Sequence, residues 1–146
     1  MRKIVLVTIA VILFSVIVLC FRQSPEEQAV EAVETFYTYE QNADFSDSWE
    51  MFHPYMKEKF DKLHYLTDRP HVFMNHFDVT TFDFSLGETV EIKEWKPSKD
   101  AEAIDVVYKV MVEMHYKGKY GNFTLIQPVF ATELEGEWKV LWDYKE

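Results

Sequence analysis

Asp61, His64, Asp68 and His71 stand three, four and three residues apart, a spacing that would align four metal-capable groups along one face of an unbroken helix. Pro70 interrupts the series. A proline ring clashes with the preceding turn and its predecessor avoids helical angles, so the helix is expected to end before it. That leaves Asp61 and His64 as a surface pair at helical spacing. His71 and His76, five apart, share no helix face. No metal site is assigned. No catalytic residue or cofactor follows from a motif either, because the chain has no Gly-rich phosphate loop, nucleophile elbow, H-E-x-x-H or paired C-x-x-C. Asn122-Phe123-Thr124 matches a glycosylation sequon, but it falls inside an expected strand and reads as a chance match.

The elements that must position these residues fall into two blocks. Ser24, Pro25 and Glu27 form a capping box with proline at the first helical position, and Ala29, Val30, Val33, Phe36 and Tyr37 follow at helical spacing. Asp44 can cap a short helix carrying Phe45, Trp49 and Phe52. Pro54 then opens a third helix with Met56, Phe60 and Leu63 on one stripe. The aromatic residues between 44 and 60 keep a helical period, as core residues do. From Val79 onward the period is two. Phe82, Phe84 and Leu86 alternate before Gly87, and Val90 and Ile92 after it. Ile104, Val106, Tyr108, Val110, Val112, Met114 and Tyr116 form one face of a long strand. A closing hairpin turns at Glu135 and Gly136, with Trp138, Val140 and Trp142 on a shared face. Helices followed by antiparallel strands predict an α+β fold of about three helices on a curved sheet, in a single domain over 25–146.

Ahead of that domain, Ile4 to Phe21 is uncharged, and its eighteen residues at about 1.5 Å each give roughly 27 Å, the thickness of a bilayer core. No A-x-A-like cleavage site follows the run, and Cys20 is preceded by Leu19, where a lipoprotein signal carries a small residue. Residues 1–24 are therefore expected to be an uncleaved signal anchor spanning the lipid bilayer through residues 4–21. With Arg2 and Lys3 in front and Glu26 and Glu27 behind, the N-terminus is expected to be cytoplasmic and the C-terminal domain extracytoplasmic at the cell membrane. Cys20 is the only cysteine, so no internal disulfide exists. Residues 1–24 contain three cations and no acid, so the net charge of −10 for the chain becomes −13 over residues 25–146. A surface so acidic offers nothing to nucleic acid, and none is expected as a partner.

A capped amphipathic helix, then the run "SWEMFHPYMKEKF", then a meander closing on "EGEWKVLWD" resembles the nuclear transport factor 2-like superfamily, the cystatin-like cone, over nearly all of residues 25–146. Within it the chain is similar to small membrane-anchored or secreted domains of Gram-positive bacteria. The resemblance implies a sheet wrapped around the first helix, often a pocket at the wide end, and often a dimer. It also implies a possible chemistry, since ketosteroid isomerase-like and dehydratase-like members use an acid or base inside the cone. On that reading Tyr108, Tyr116, His115 and Asp143, with Asp83, are the pocket candidates, and the bland account is that the tyrosines fill the core and the acids are solvated.

The strand 120–134 is apolar on both faces: Thr124, Ile126 and Phe130 alternate with Phe123, Leu125, Val129 and Ala131. One face meets the core. The other, joined by Val107 and Met111, is expected to need a cover, so Val107, Met111, Phe123, Leu125 and Val129 are the interface candidates, for a homodimer or another surface protein. The functional expectation is a membrane-anchored, extracytoplasmic, non-catalytic binding or assembly module; the alternative is a small pocket enzyme.

Overall fold

The fold is that of a computed structural model, which describes residues 23–71, 78, 79 and 81–144. Helix α1 (Pro25–Gln41) begins at the expected capping box, with the Glu27 amide donating to Ser24 Oγ and the Ser24 amide donating to Glu27 Oε2. Ala29, Val33, Phe36 and Tyr37 are buried along its apolar stripe. Helices α2 (Phe45–Glu50), α3 (Pro54–Lys59) and α4 (Lys62–Pro70) follow.

Among the described residues four helices stand where about three were expected, because the third helix stops at Phe60 and a new one starts at Asp61. The Asp61 carboxylate accepts from the amides of Leu63 and His64, which fixes the new start. The break divides the expected stripe. Met56 is fully buried, whereas Leu63 is 72% exposed. Pro70 closes α4 as its last residue instead of ending it one residue earlier.

Strands β1 (Phe82–Trp95), β2 (Ile104–Gly118), β3 (Gly121–Leu134) and β4 (Glu137–Trp142) form an antiparallel meander in sequence order. Gly87 marks a bulge: the register shifts by one residue between Leu86 and Thr89, opposite Met111. Glu135 and Gly136 both adopt positive φ, as a two-residue hairpin turn of this hand requires. Helix α1 lies on one face of the sheet. There Phe36 meets Trp142 edge to face, Tyr37 packs on Phe84, and the Tyr37 hydroxyl donates to Gln127. Phe52 contacts Phe36, Phe60, Tyr65 and Trp142 from the other side of that cluster.

The transmembrane part of the expected fold class requires correction. Among the described residues no helix is long and apolar enough to cross a membrane; the longest, α1, carries five glutamates and keeps only one apolar face. The segment 4–21 lies outside the described residues. Over the described residues the fold is therefore α+β with four helices and a four-stranded antiparallel sheet, and the transmembrane helix, the signal anchor and the single-pass membrane placement are withdrawn from it.

The break at Phe60 and Asp61 has a measurable consequence. Met56→Ala is expected to lower unfolding free energy by about 2–5 kcal/mol, as truncation in a packed core does, and Leu63→Ala by less than about 0.5 kcal/mol. Urea denaturation of the two variants checks this, since a continuous helix with both residues on one buried stripe would give comparable losses.

Candidate functional site

The one buried carboxylate among the described residues sits at the end of α1. Glu40 continues the stripe of Val33, Phe36 and Tyr37, and its side chain has no solvent exposure. Oε1 accepts from Ser48 Oγ of α2 at 2.5 Å and from the Tyr65 hydroxyl of α4 at 2.6 Å. Oε2 accepts from Arg69 Nε at 2.8 Å and from Arg69 Nη2. A carboxylate taken out of water demands such partners, and here it has four. Burial works against the charge of Arg69, but the Glu40 carboxylate outweighs it and raises the guanidinium's pKa. Burial, reinforced by Glu40, also raises the Tyr65 phenol far above the ordinary tyrosine range, so it stays a donor at neutral pH.

In front of this network lies a cleft of about 480 Å³ lined by Phe60, Asp61, His64, Tyr65, Arg69 and Trp142, among others. Arg69 lies 5.4 Å from the Trp142 ring centre and 5.8 Å from that of Tyr65, so its charge is held against the aromatic floor. Asp61 and His64 stand at the rim, 3.7 Å apart and largely exposed. Among the described residues no three metal-capable side chains gather at one point. General acid–base chemistry needs a carboxyl or imidazole free to exchange its proton with a substrate. Both oxygens of Glu40 are instead bound to its own helices.

The four pocket candidates do not converge. Tyr108 and Tyr116 share the helix-side face of β2, but eight residues separate them, about 27 Å along a strand. Tyr108 donates to Glu91 at 3.2 Å. Tyr116 is buried between Phe82 and Phe123, contacts Met114 Sδ through its hydroxyl, and is pushed up to about 12 by burial. His115 faces the other side of the sheet, where Nδ1 lies 3.0 Å from Thr124 Oγ1. Asp143 is exposed beyond the end of β4, and Asp83 lies 4.0 Å from Lys117. His76 falls outside the described residues.

The interface candidates are divided between the two faces. The register places Val107 and Met111 with Phe130 and Pro128 on the face away from α1, and Phe123, Leu125 and Val129 beside Tyr116, Met114 and Val110 on the helix face. Val107 is fully buried. Its end of the outer face is closed within the chain, where Trp95 stacks on Phe130 at 4.2 Å. Glu94, at φ 51°, interrupts the alternation of β1 just before that tryptophan. Val129 is also buried, and Met111 is half-buried. Phe123 and Leu125 are 38% and 46% exposed, and with Ile126 at 57% and Tyr120 at 87% they form an apolar end on the β2–β3 hairpin.

Five residues that matter were missed in the sequence: Glu40 with its partners Ser48, Tyr65 and Arg69, and His53. Glu40 carried a signal, an acid on the apolar stripe of a capped helix. His53 carried none: it is buried, its Nδ1 accepts from the Tyr55 amide to cap α3, and its amide donates to the carbonyl of Val140 in β4. No protein-family model matches the chain, and a search of curated proteins finds no similar sequence.

Two measurements follow. Glu40→Gln strips a nearly buried guanidinium of its counter-charge and is expected to lower stability by about 3 kcal/mol, against about 1 kcal/mol for Tyr65→Phe; chemical denaturation gives both. Burial, then the nearby Lys139 charge, lowers the His53 pKa below its ordinary value. The unfolded chain thus takes up the proton first. The stabilising contribution is complete above about pH 6.5 and is lost as the pH falls through the folded value. Melting curves should show this acid-side loss in the native chain and its reduction in His53→Asn, which keeps a capping side chain without the titration.

Proposed function

We propose that this chain is a non-catalytic binding or assembly module, on a domain similar to the nuclear transport factor 2-like superfamily. The observation that carries the reading is the apolar hairpin end, where Tyr120, Phe123, Leu125 and Ile126 are exposed within seven residues. No acid lies between Glu113 and Glu133, in a chain with 25 acids and a net charge of −10. Solvent-facing apolar residues gathered in one place mark association surfaces. The family reading is supported by a capped first helix, short helices after it and an antiparallel meander that closes the chain. The commitment of Glu40 to Ser48, Tyr65 and Arg69 favours a module over a pocket enzyme.

The first partner to test is a second copy. Sedimentation velocity of the full chain across the micromolar range is expected to show reversible association that weakens when Ile126 is replaced by a charged residue. A chain that stays monomeric throughout that range argues against self-assembly as its role.

A further inference from the structure

On a sheet, opposite charges pair across neighbouring strands, and a charge whose cross-strand neighbours are uncharged is matched by water or by another molecule. The strand register sorts the residues on the face away from α1. Across the middle of β2 it sets three rows: Val90, Lys109 and Phe130; then Met111 and Pro128 beside the bulge at Gly87; then Ser85, Glu113 and Ile126. Elsewhere on this face Asp83 pairs with Lys117, and Glu137 with Lys139. Lys109 and Glu113 make no ion pair among the described residues, and four positions of extended strand hold them about 13 Å apart, out of each other's reach. Their surroundings are apolar. Met111 lies half-buried between them, and Val90 and Ile126 are exposed on the flanking strands. A Cβ at Gly87 would stand 3.4 Å from that of Met111, so the glycine leaves this side of Met111 uncovered.

We propose that this face packs on the same face of a second copy, about a two-fold axis that passes over Met111 at right angles to β2. The inference rests on the assembly reading above and specifies its surface. A two-fold interface requires that if one residue meets another, the second also meets the first. Lys109 and Glu113 stand two positions to either side of Met111. The axis therefore sets Lys109 of each copy against Glu113 of the other, and Met111 against itself. An axis running along β2 would set each charge against its like, so the charges select between the two aligned ways in which the faces can meet. Sheets packed face to face stand about 10 Å apart, a gap that a lysine and a glutamate side chain can close together. Two chains of charge −10 repel one another, and two opposite-charge contacts set among Val90, Met111 and Ile126 offset that repulsion where water is excluded. An occupant of this face must carry the same two charges in reverse order, and a second copy does.

Exchanging the charges tests the arrangement. Lys109→Glu sets carboxylate against carboxylate twice in the dimer, and Glu113→Lys sets ammonium against ammonium. In the full chain at low salt, each is expected to weaken association by about tenfold or more in sedimentation velocity. Melting temperatures should stay near that of the parent, because neither side chain is buried or paired within the chain. An equal mixture of the two variants should associate at least as well as the parent, since every facing pair is then opposite in charge. The chain carrying both exchanges should recover the parent's association.

If the chain associates but neither exchange weakens it, or the mixture fails to restore what the single exchanges lose, the face pairing is overturned while the module reading stands. If the chain is monomeric throughout the micromolar range, both fall.

Discussion

The packing of the helices in this domain depends on one buried charge pair. Glu40 ends the first helix inside the protein, and a carboxylate there is tolerable only with a cation and hydrogen-bond donors around it. Those come from Ser48 on α2 and from Tyr65 and Arg69 on α4, so the three helices must meet at this point. Arg69 in turn lies over Trp142, the last residue of the sheet, which packs against Phe36, Phe52 and Phe60. The ion pair and the aromatic cluster therefore position each other. An apolar pair of similar volume could serve for stability alone, but the directional bonds to Glu40 set which turn of α4 faces α1.

The same packing decides how the sheet meets its surroundings. With Phe52 held in the cluster, Met51 and His53 lie alongside β4 and satisfy its outer backbone at Val140. Trp95 closes the face opposite α1 over Val107 and Phe130. Two surfaces that an antiparallel meander leaves open are thus covered from within the chain, and β1 is defended by acids and a bulge. The apolar end of the β2–β3 hairpin, at Tyr120, Leu125 and Ile126, stays exposed.

What the residues alone determined is local. Ser24, Pro25 and Glu27 specify a helix start through their own hydrogen bonds, the alternation from Ile104 to Tyr116 specifies a strand with one buried face, and Glu135-Gly136 specifies a tight turn. The α+β order follows from these. An apolar run at 4–21 is equally plain as composition, but composition gives length and polarity without placement, and the described fold contains no helix that crosses a membrane.

Tertiary structure decided whatever depends on residues far apart in the chain. A helical period cannot distinguish one helix from two, so the break at Asp61 and the exposure of Leu63 emerged only with the packing of α4. Strand alternation says which residues share a face and not which neighbour covers it. Val107 was therefore an expected outer contact until Trp95 was seen stacked over that face. Glu40 and Arg69 are 29 residues apart, and the length of the β3–β4 pairing depends on where β4 stops. Both are set by the three-dimensional arrangement because pairing energy exists only once distant segments have been brought together.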